Sequence, residues 1–202
     1  KNMFNGCKKI TSINLSNFNT EQVTSMENMF KNMEQLKGLD LSNFNMDKVI
    51  SAKSMFEGCI SLSNLRFGNK GTSALTNIDI MFKNCEKLTS LDISNCESLS
   101  YINMKNWDTS WCLNMTSMFQ NCKSLTSIDV SFFDTTRINE MNRMFLNCSS
   151  LTSVDISNFK LNSGLKSLSH LFDGCGKIKE IKMDNLDTQN IEDMSYMFSS
   201  CS

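Results

Sequence analysis

The chain has 202 residues, of which 40% are hydrophobic, and its 20 basic and 21 acidic side chains leave a formal net charge of −1. Such a balance provides no basic surface for nucleic acid and no polybasic patch for an anionic membrane. No apolar run approaches the roughly 20 residues of a membrane-spanning helix. The composition therefore argues against a nucleic-acid partner and against membrane insertion by this segment.

A Met-Phe dipeptide, which is Leu-Phe in the copy at residue 171, returns along the whole chain, and in most copies Cys follows three residues after the Phe. The copies begin at residues 3, 29, 55, 81, 118, 144, 171 and 197, so the intervals are 26, 26, 26, 37, 26, 27 and 26 residues. A fixed period of this length is typical of a solenoid, in which each coil packs only on its neighbours. We interpret residues 1–202 as one solenoid of about seven to eight repeats.

Within each repeat, two apolar patterns follow one another. Leu39-Asp40-Leu41 alternates with period two, which favours a short strand with one buried face. Val23, Met26 and Met29 recur every third residue, which favours a 3₁₀ or short helical turn, and Thr20 precedes that turn, where its hydroxyl could cap it. The pattern predicts coils that stack into a parallel sheet on one face and short helical turns on the other.

The 37-residue interval equals one period plus eleven residues, and the extra eleven can be located. Residues 96–106 repeat the pattern of residues 85–95, with Cys on Cys and Leu on Leu. The duplicated half-repeat could pair as an extra strand or bulge out as a loop. Because long insertions in repeat proteins often map to a binding face, this region is the first candidate for a functional patch. A duplication tolerated in a loop is the plainer interpretation.

Residues 118–135 contain the repeat in its fullest form and read Met-Phe-Gln-Asn-Cys-Lys-Ser-Leu-Thr-Ser-Ile-Asp-Val-Ser-Phe-Phe-Asp-Thr. This run resembles the repeat of BspA-like leucine-rich-repeat surface proteins, and the likeness covers the chain except for the eleven extra residues. The resemblance implies an α/β, leucine-rich-repeat-like, right-handed solenoid. It also implies a cell-surface or secreted location, a frequent link to adhesion, and no catalytic residues.

The nine cysteines could in principle form disulfides or bind a metal ion. We interpret them as small buried hydrophobic residues, because Met33 replaces one of them without any thiol chemistry. Disulfides between neighbouring coils are the alternative, although an odd count leaves one thiol over. No pair has zinc-knuckle spacing and His170 is the only histidine, so we expect no metal, no cofactor and no catalysis. Seven share one repeat position: Cys7, Cys59, Cys85, Cys122, Cys148, Cys175 and Cys201.

The outward position of the predicted strands carries several acidic residues. Stacking would bring them into a polar stripe for a protein or glycan, and a solvated sheet face is the plainer interpretation. Aromatic residues in and after the duplicated segment could add contacts. The candidate binding residues are Asp40, Asp92, Asp129, Asp155, Tyr101, Trp107 and Trp111.

The function that these features favour is a non-catalytic binding or display module that contacts proteins or glycans. Two alternatives stay open: an intracellular interaction scaffold, which nine free thiols would suit, and the targeting arm of a larger enzyme. Neither end shows a polar capping coil, so we expect a piece of a longer chain.

Overall fold

The structure, a computed structural model, describes residues 1–67, 74–102, 104 and 107–201. The chain winds into stacked coils, as the period predicts. On one side of each coil, which we call the strand side (residues 36–41 in the second coil), backbone N–H groups donate to the preceding coil. Lys37 N donates to Thr11 O at 3.2 Å, and Ser63 N donates to Lys37 O at 3.0 Å.

The opposite side, which we call the turn side (residues 24–33 in the second coil), bonds in the other direction from Met26 onward. Phe30 N donates to Met55 O at 2.9 Å, and Asn32 N donates to Glu57 O at 2.7 Å. Each interior coil is therefore bonded through both sides. Backbone groups that would be costly to bury unpaired are satisfied by the neighbouring repeats.

Four short strands form among the described residues, in two separate two-stranded parallel sheets. Strand β1 (Gly38–Leu41) pairs with β2 (Asn64–Phe67), and β3 (Ser153–Asp155) pairs with β4 (Glu180–Lys182). The register advances by one repeat, with Leu39 beside Leu65. The predicted parallel pairing is present, but among the described residues it forms two separate pairs and not one continuous sheet, with an irregular coil between them.

The repeated Phe fills the centre of the coils. Ring centroids of Phe30 and Phe56 lie 5.6 Å apart with nearly parallel planes, and those of Phe145 and Phe172 lie 5.3 Å apart. These four side chains are fully buried. Burying a side chain of this size contributes about 1.5–3 kcal/mol, so the stack is a main source of stability.

The turn side is not helical, and the prediction of helical or 3₁₀ turns is wrong for the described residues. Met29 N donates to Met26 O at 3.1 Å, and Met33 N donates to Phe30 O at 3.3 Å, which closes two successive four-residue turns. The third residue of each turn, Asn28 or Asn32, has a φ of 54° or 57°. A positive φ at that place defines a type II turn and is incompatible with a 3₁₀-helix.

The buried threonines also differ from the prediction that they cap a helical turn. Thr20 Oγ1 donates to Asn45 O at 2.9 Å and accepts from Asn45 N at 2.8 Å. Thr135 makes the same pair of bonds with Lys160. Each hydroxyl therefore takes the place of a backbone group in the hydrogen bonds between neighbouring coils and stabilises their stacking.

Candidate binding grooves beside a shortened coil

The extra eleven residues produce a shortened coil, and Thr89 marks its start. Thr89 N donates to Ser63 O at 3.4 Å, as strand-side residues do. The carbonyl oxygen of Thr89 accepts from Leu113 N at 2.8 Å and from Asn114 N at 3.2 Å. The carbonyl oxygen of Ile50, on the turn side, accepts from two successive residues of the next coil in the same way. The chain therefore passes from the strand side to the turn side within one residue and omits half a coil.

The residues after Thr89 occupy places that other residues hold in a full coil. Ile93 N donates to Met118 O at 3.0 Å, the bond that the repeated Phe makes elsewhere, and Asn95 N donates to Gln120 O at 2.7 Å. Ser100 O then accepts from Thr126 N, which returns the chain to the strand side. The segment forms neither an added strand nor a protruding loop over these residues; residues 103, 105 and 106 lie outside the described part.

A first groove of about 240 Å³ lies before the shortened coil. Its floor includes Phe82 and Leu91, and its rim carries Arg66 and Asp92 with polar groups from Asn114. Ser90 pairs with Asn114 on the turn side. Asp92 therefore faces a different neighbourhood from Asp129, and the predicted stripe is interrupted here.

A second groove of about 430 Å³ lies after the shortened coil. Tyr101 and Phe132 are 63% and 45% exposed at its edge. Its remaining described lining consists of the apolar side chains of Ile102, Met104 and Ile128, together with Ser127 and Asp129. This volume falls in the range of small-ligand sites, about 300–1,000 Å³.

The predicted acidic residues also have a local structural role. Asp40 Oδ1 accepts from Ser42 N at 2.8 Å, and Asp155 Oδ1 accepts from Ser157 N at 2.9 Å. Hydrogen bonds from Ser42 lower the pKa of Asp40, and the charge of Arg66 adds to this. Each aspartate thus closes a turn in which its side chain replaces a backbone acceptor.

Basic residues interrupt the acidic column. Asp40 lies beside Arg66 across the β1–β2 pair, and Asp155 lies beside Lys182 across the β3–β4 pair. The backbone and side chain of Ser157 lower the pKa of Asp155, with a smaller contribution from the charge of Lys182. The column is of mixed charge at these two places.

The three aromatic candidates lie in different environments. Tyr101 is exposed in the second groove. Trp107 is 4% exposed and belongs to the core, so it does not form part of the candidate surface. Trp111 is 49% exposed, away from the described lining of both grooves, with the guanidinium of Arg137 over its ring at 4.5 Å.

Sequence reasoning missed Phe132 and Arg66 as groove residues. A signal for Phe132 was available, because it replaces the Asn of the Ser-Asn-Phe bend with an aromatic residue that has no inward place to fill. Arg66 belongs to the column of outward strand residues. It lines a groove because the next coil is irregular, and the sequence pattern does not show this.

The cysteines are all free thiols. Seven are buried, and Cys7 and Cys201 are partly buried. Cys59 Sγ donates to Phe30 O at 3.1 Å, and Cys148 Sγ donates to Phe119 O at the same distance. Burial raises the pKa of Cys59 to about 12, so the thiol acts as a neutral donor between coils and not as a nucleophile.

His170, the remaining residue of chemical interest, pairs with a carboxylate. Its Nδ1 lies 2.8 Å from Asp173 Oδ2, and its ring stacks on Tyr196 with centroids 4.8 Å apart. No group of three or more potential metal ligands converges among the described residues. Within the same part of the chain, no helix has the length and apolar character that crossing a bilayer requires.

Solved structures similar to this chain include bacterial repeat proteins. A leucine-rich cell surface protein from Faecalibacterium prausnitzii is 16% identical with a TM-score of 0.32; the match covers 90% of this chain and 68% of that one. The T. pallidum leucine-rich-repeat protein is 20% identical with a TM-score of 0.30 and coverages of 73% and 63%. A leucine-rich-repeat protein from Eubacterium ventriosum is 16% identical with a TM-score of 0.26 and coverages of 76% and 41%.

The chain thus spans from about two fifths to about two thirds of the length of these proteins. No curated protein sequence matches it. The family described as "Mycoplasma protein of unknown function, DUF285" matches residues 1–105 and again residues 91–202, which together span the whole sequence. The two matched ranges overlap over residues 91–105, which belong to the shortened coil. The chain belongs to the DUF285 family.

Proposed function

We propose that this chain is a non-catalytic binding and display module of a surface protein of the BspA-like leucine-rich-repeat kind, and that it contacts proteins or glycans during adhesion. The observation that carries the proposal is the pair of grooves beside the shortened coil. The coil stack opens into a concave place on either side of one irregular coil, and the second of these carries two exposed aromatic side chains at its edge.

The physical character of the molecule supports a binding role. Its coils are held by backbone rungs and a stacked aromatic core, so the surface is supported by rigid elements. Solenoids use such extended surfaces to bind partners. Exposed aromatic side chains at the second groove provide contact area of the kind that is enriched at interaction sites.

The test uses purified chain on arrays of host-surface proteins and of glycans, and on intact host cells. We expect saturable binding to members of one class, weakened by Tyr101→Ala. Ile50→Ala serves as the control, because Ile50 is 54% exposed but lies on the turn side, outside both grooves. Absence of saturable binding to proteins, glycans and cells would contradict the proposal.

A second candidate is an intracellular interaction scaffold, which the nine free cysteines favour because reducing compartments keep thiols unpaired. Protease treatment of intact source cells separates the two candidates. Peptides of this chain released without lysis support surface display. Release only after lysis, from cells in which the chain is abundant, supports the scaffold.

A further inference from the structure

The second groove combines two exposed aromatic rings with one carboxylate. Tyr101 and Phe132 come from successive coils, and Asp129 lines the same cavity. The buried Ile102 and Met104, which are 3% and 2% exposed, support its floor. No basic side chain is among the described residues that line this groove.

The carboxylate of Asp129 is held in one orientation. Its Oδ1 accepts from Ser131 N at 3.0 Å and from Ser131 Oγ at 2.6 Å. Both of these bonds go to Oδ1, and no described residue donates a hydrogen bond to Oδ2. A carboxylate that is already held in place and has a free oxygen can bind a cation without first losing side-chain freedom.

The adjoining surface has the same sign of charge. The next groove along the stack is lined by Asp155, Glu180 and Lys182, and Lys182 Nζ lies 4.0 Å from Glu180 Oε1. Lys182 also lies beside Asp155 in the β3–β4 pair. One ammonium therefore stands against two carboxylates there, and Asp129 adds a third nearby, so the local field favours a cation.

We propose that the second groove binds a lysine or arginine side chain of a partner protein, between the rings of Tyr101 and Phe132 and against the carboxylate of Asp129. This inference rests on the proposed binding function and names the chemistry of its partner. The negative faces of aromatic rings attract a cation, and a nearby carboxylate adds a direct ion pair. The groove should therefore bind a basic segment of a partner more tightly than a neutral one.

The test measures binding of a capped tetralysine peptide by calorimetry, with the same peptide acetylated on every Nε as the uncharged match. We expect tetralysine to bind and the acetylated peptide not to bind, with affinity falling as salt rises from about 50 to about 500 mM. Tyr101→Ala and Phe132→Ala should each weaken binding about fivefold. Tyr101→Phe should retain it, because the ring remains.

Asp129→Asn should weaken binding about tenfold while still accepting from Ser131. The matched control is Asp40→Asn, because Asp40 closes the same kind of turn but lies outside the groove. Circular dichroism checks that each variant is folded. An equal loss in Asp40→Asn and Asp129→Asn would show unspecific attraction and overturn the inference.

Binding of maltotetraose that Tyr101→Ala abolishes, without binding of tetralysine, would assign the groove to a neutral glycan and also overturn the inference. In that case the binding function itself would stand. If neither probe binds while the chain still binds arrayed proteins or cells, the cation site is wrong and the proposed function is not. Failure on the arrays as well contradicts both.

Discussion

Trp107 lies edge-on against Phe82, with ring centroids 4.9 Å apart and ring planes at 89°. In neighbouring coils the corresponding bend residues are Phe44 and Phe133, which are smaller. Phe133 lies against Phe119 of the Phe stack with ring centroids 6.5 Å apart, and Trp107 makes the corresponding contact with Phe82 beside the irregular coil. Trp107 is buried, so its ring is part of the core at this place.

Trp107→Ala should lower the free energy of unfolding by about 3–5 kcal/mol, because it leaves a large cavity beside Phe82. Trp107→Phe should cost less, since Nε1 of Trp107 donates to no described residue and only ring volume is lost. Urea denaturation followed by circular dichroism measures both. The control is Trp111→Ala, which removes an exposed ring and one contact with Arg137 and should cost less than about 1 kcal/mol. Equal losses for the two alanine variants would contradict the assignment of Trp107 to the core.

Gly174 turns the chain with a φ of 75°, at a repeat position where Asn32 and Asn147 also have a positive φ. A Cβ added there would lie within van der Waals overlap of Asn147 Oδ1, in the coil below. Gly174→Ala should therefore destabilise the protein by about 2–3 kcal/mol, of which about 1–2 kcal/mol comes from the left-handed backbone alone.

Gly6→Ala isolates the backbone contribution. Gly6 has the same φ of 75°, but nothing lies within 4 Å of an added Cβ. Its loss, measured in the same urea experiment, should be the smaller of the two. A loss at Gly6 as large as that at Gly174 would show that contact with the neighbouring coil does not matter.

The turn-closing aspartates give a prediction about the acidic column. Replacing Asp92, Asp129 and Asp155 together with Asn should leave the urea midpoint nearly unchanged, because an amide oxygen still accepts from the serine two residues later. Replacing all three with Ala should lower the midpoint, because the acceptors are lost. Equal midpoints for the two triple variants would show that these turns do not depend on the side chains.

The thiols should respond to burial. Without denaturant, iodoacetamide should modify Cys7 and Cys201 first, and the seven buried cysteines slowly, as read by peptide mass spectrometry. With denaturant, all nine should react. Rapid modification of Cys59 or Cys148 in the folded protein would contradict their place between the coils.

Burial also predicts how stability depends on pH. Desolvation raises the pKa of Cys59, Cys112 and Cys175 to about 12, whereas thiols in the unfolded chain ionise near pH 8.5–9. Their contribution to stability is therefore complete below about pH 9 and is lost as the pH rises toward 12. The urea midpoint should fall across this range, and less steeply in Cys59→Met, since Met33 occupies the equivalent position without a thiol.

Several features of the fold were predictable from the sequence because they depend only on the period. The 26-residue interval predicted that Leu39 and Leu65 would lie in register, and they do. Cys recurs at one repeat position, and Met33 replaces it in the second repeat. This pattern predicted a buried role, and Cys59 and Cys148 are fully buried. Equivalent residues of stacked coils necessarily become neighbours.

The turn type was harder to predict, because apolar residues three apart fit both a 3₁₀ turn and a pair of β-turns. The decisive signal was weak and local: Gly or Asn recurs three residues after the repeated Met, as in Asn32, Gly58 and Gly174. These are residues that adopt a positive φ at little cost. The position of Thr20 before the turn likewise predicts a cap within its own coil, although its hydroxyl bonds to the next coil.

The sequence by itself therefore determined the repeat, the register and which side chains are buried in regular coils, because each of these follows from an interval along the chain. Only the tertiary structure decided the path of the extra eleven residues, the burial of Trp107 and the meeting of Tyr101, Phe132 and Asp129 in one groove. The physical reason is that Thr89 exchanges one set of backbone partners for another. Such an exchange depends on which coils can pack together, and a local pattern of residues does not contain that information.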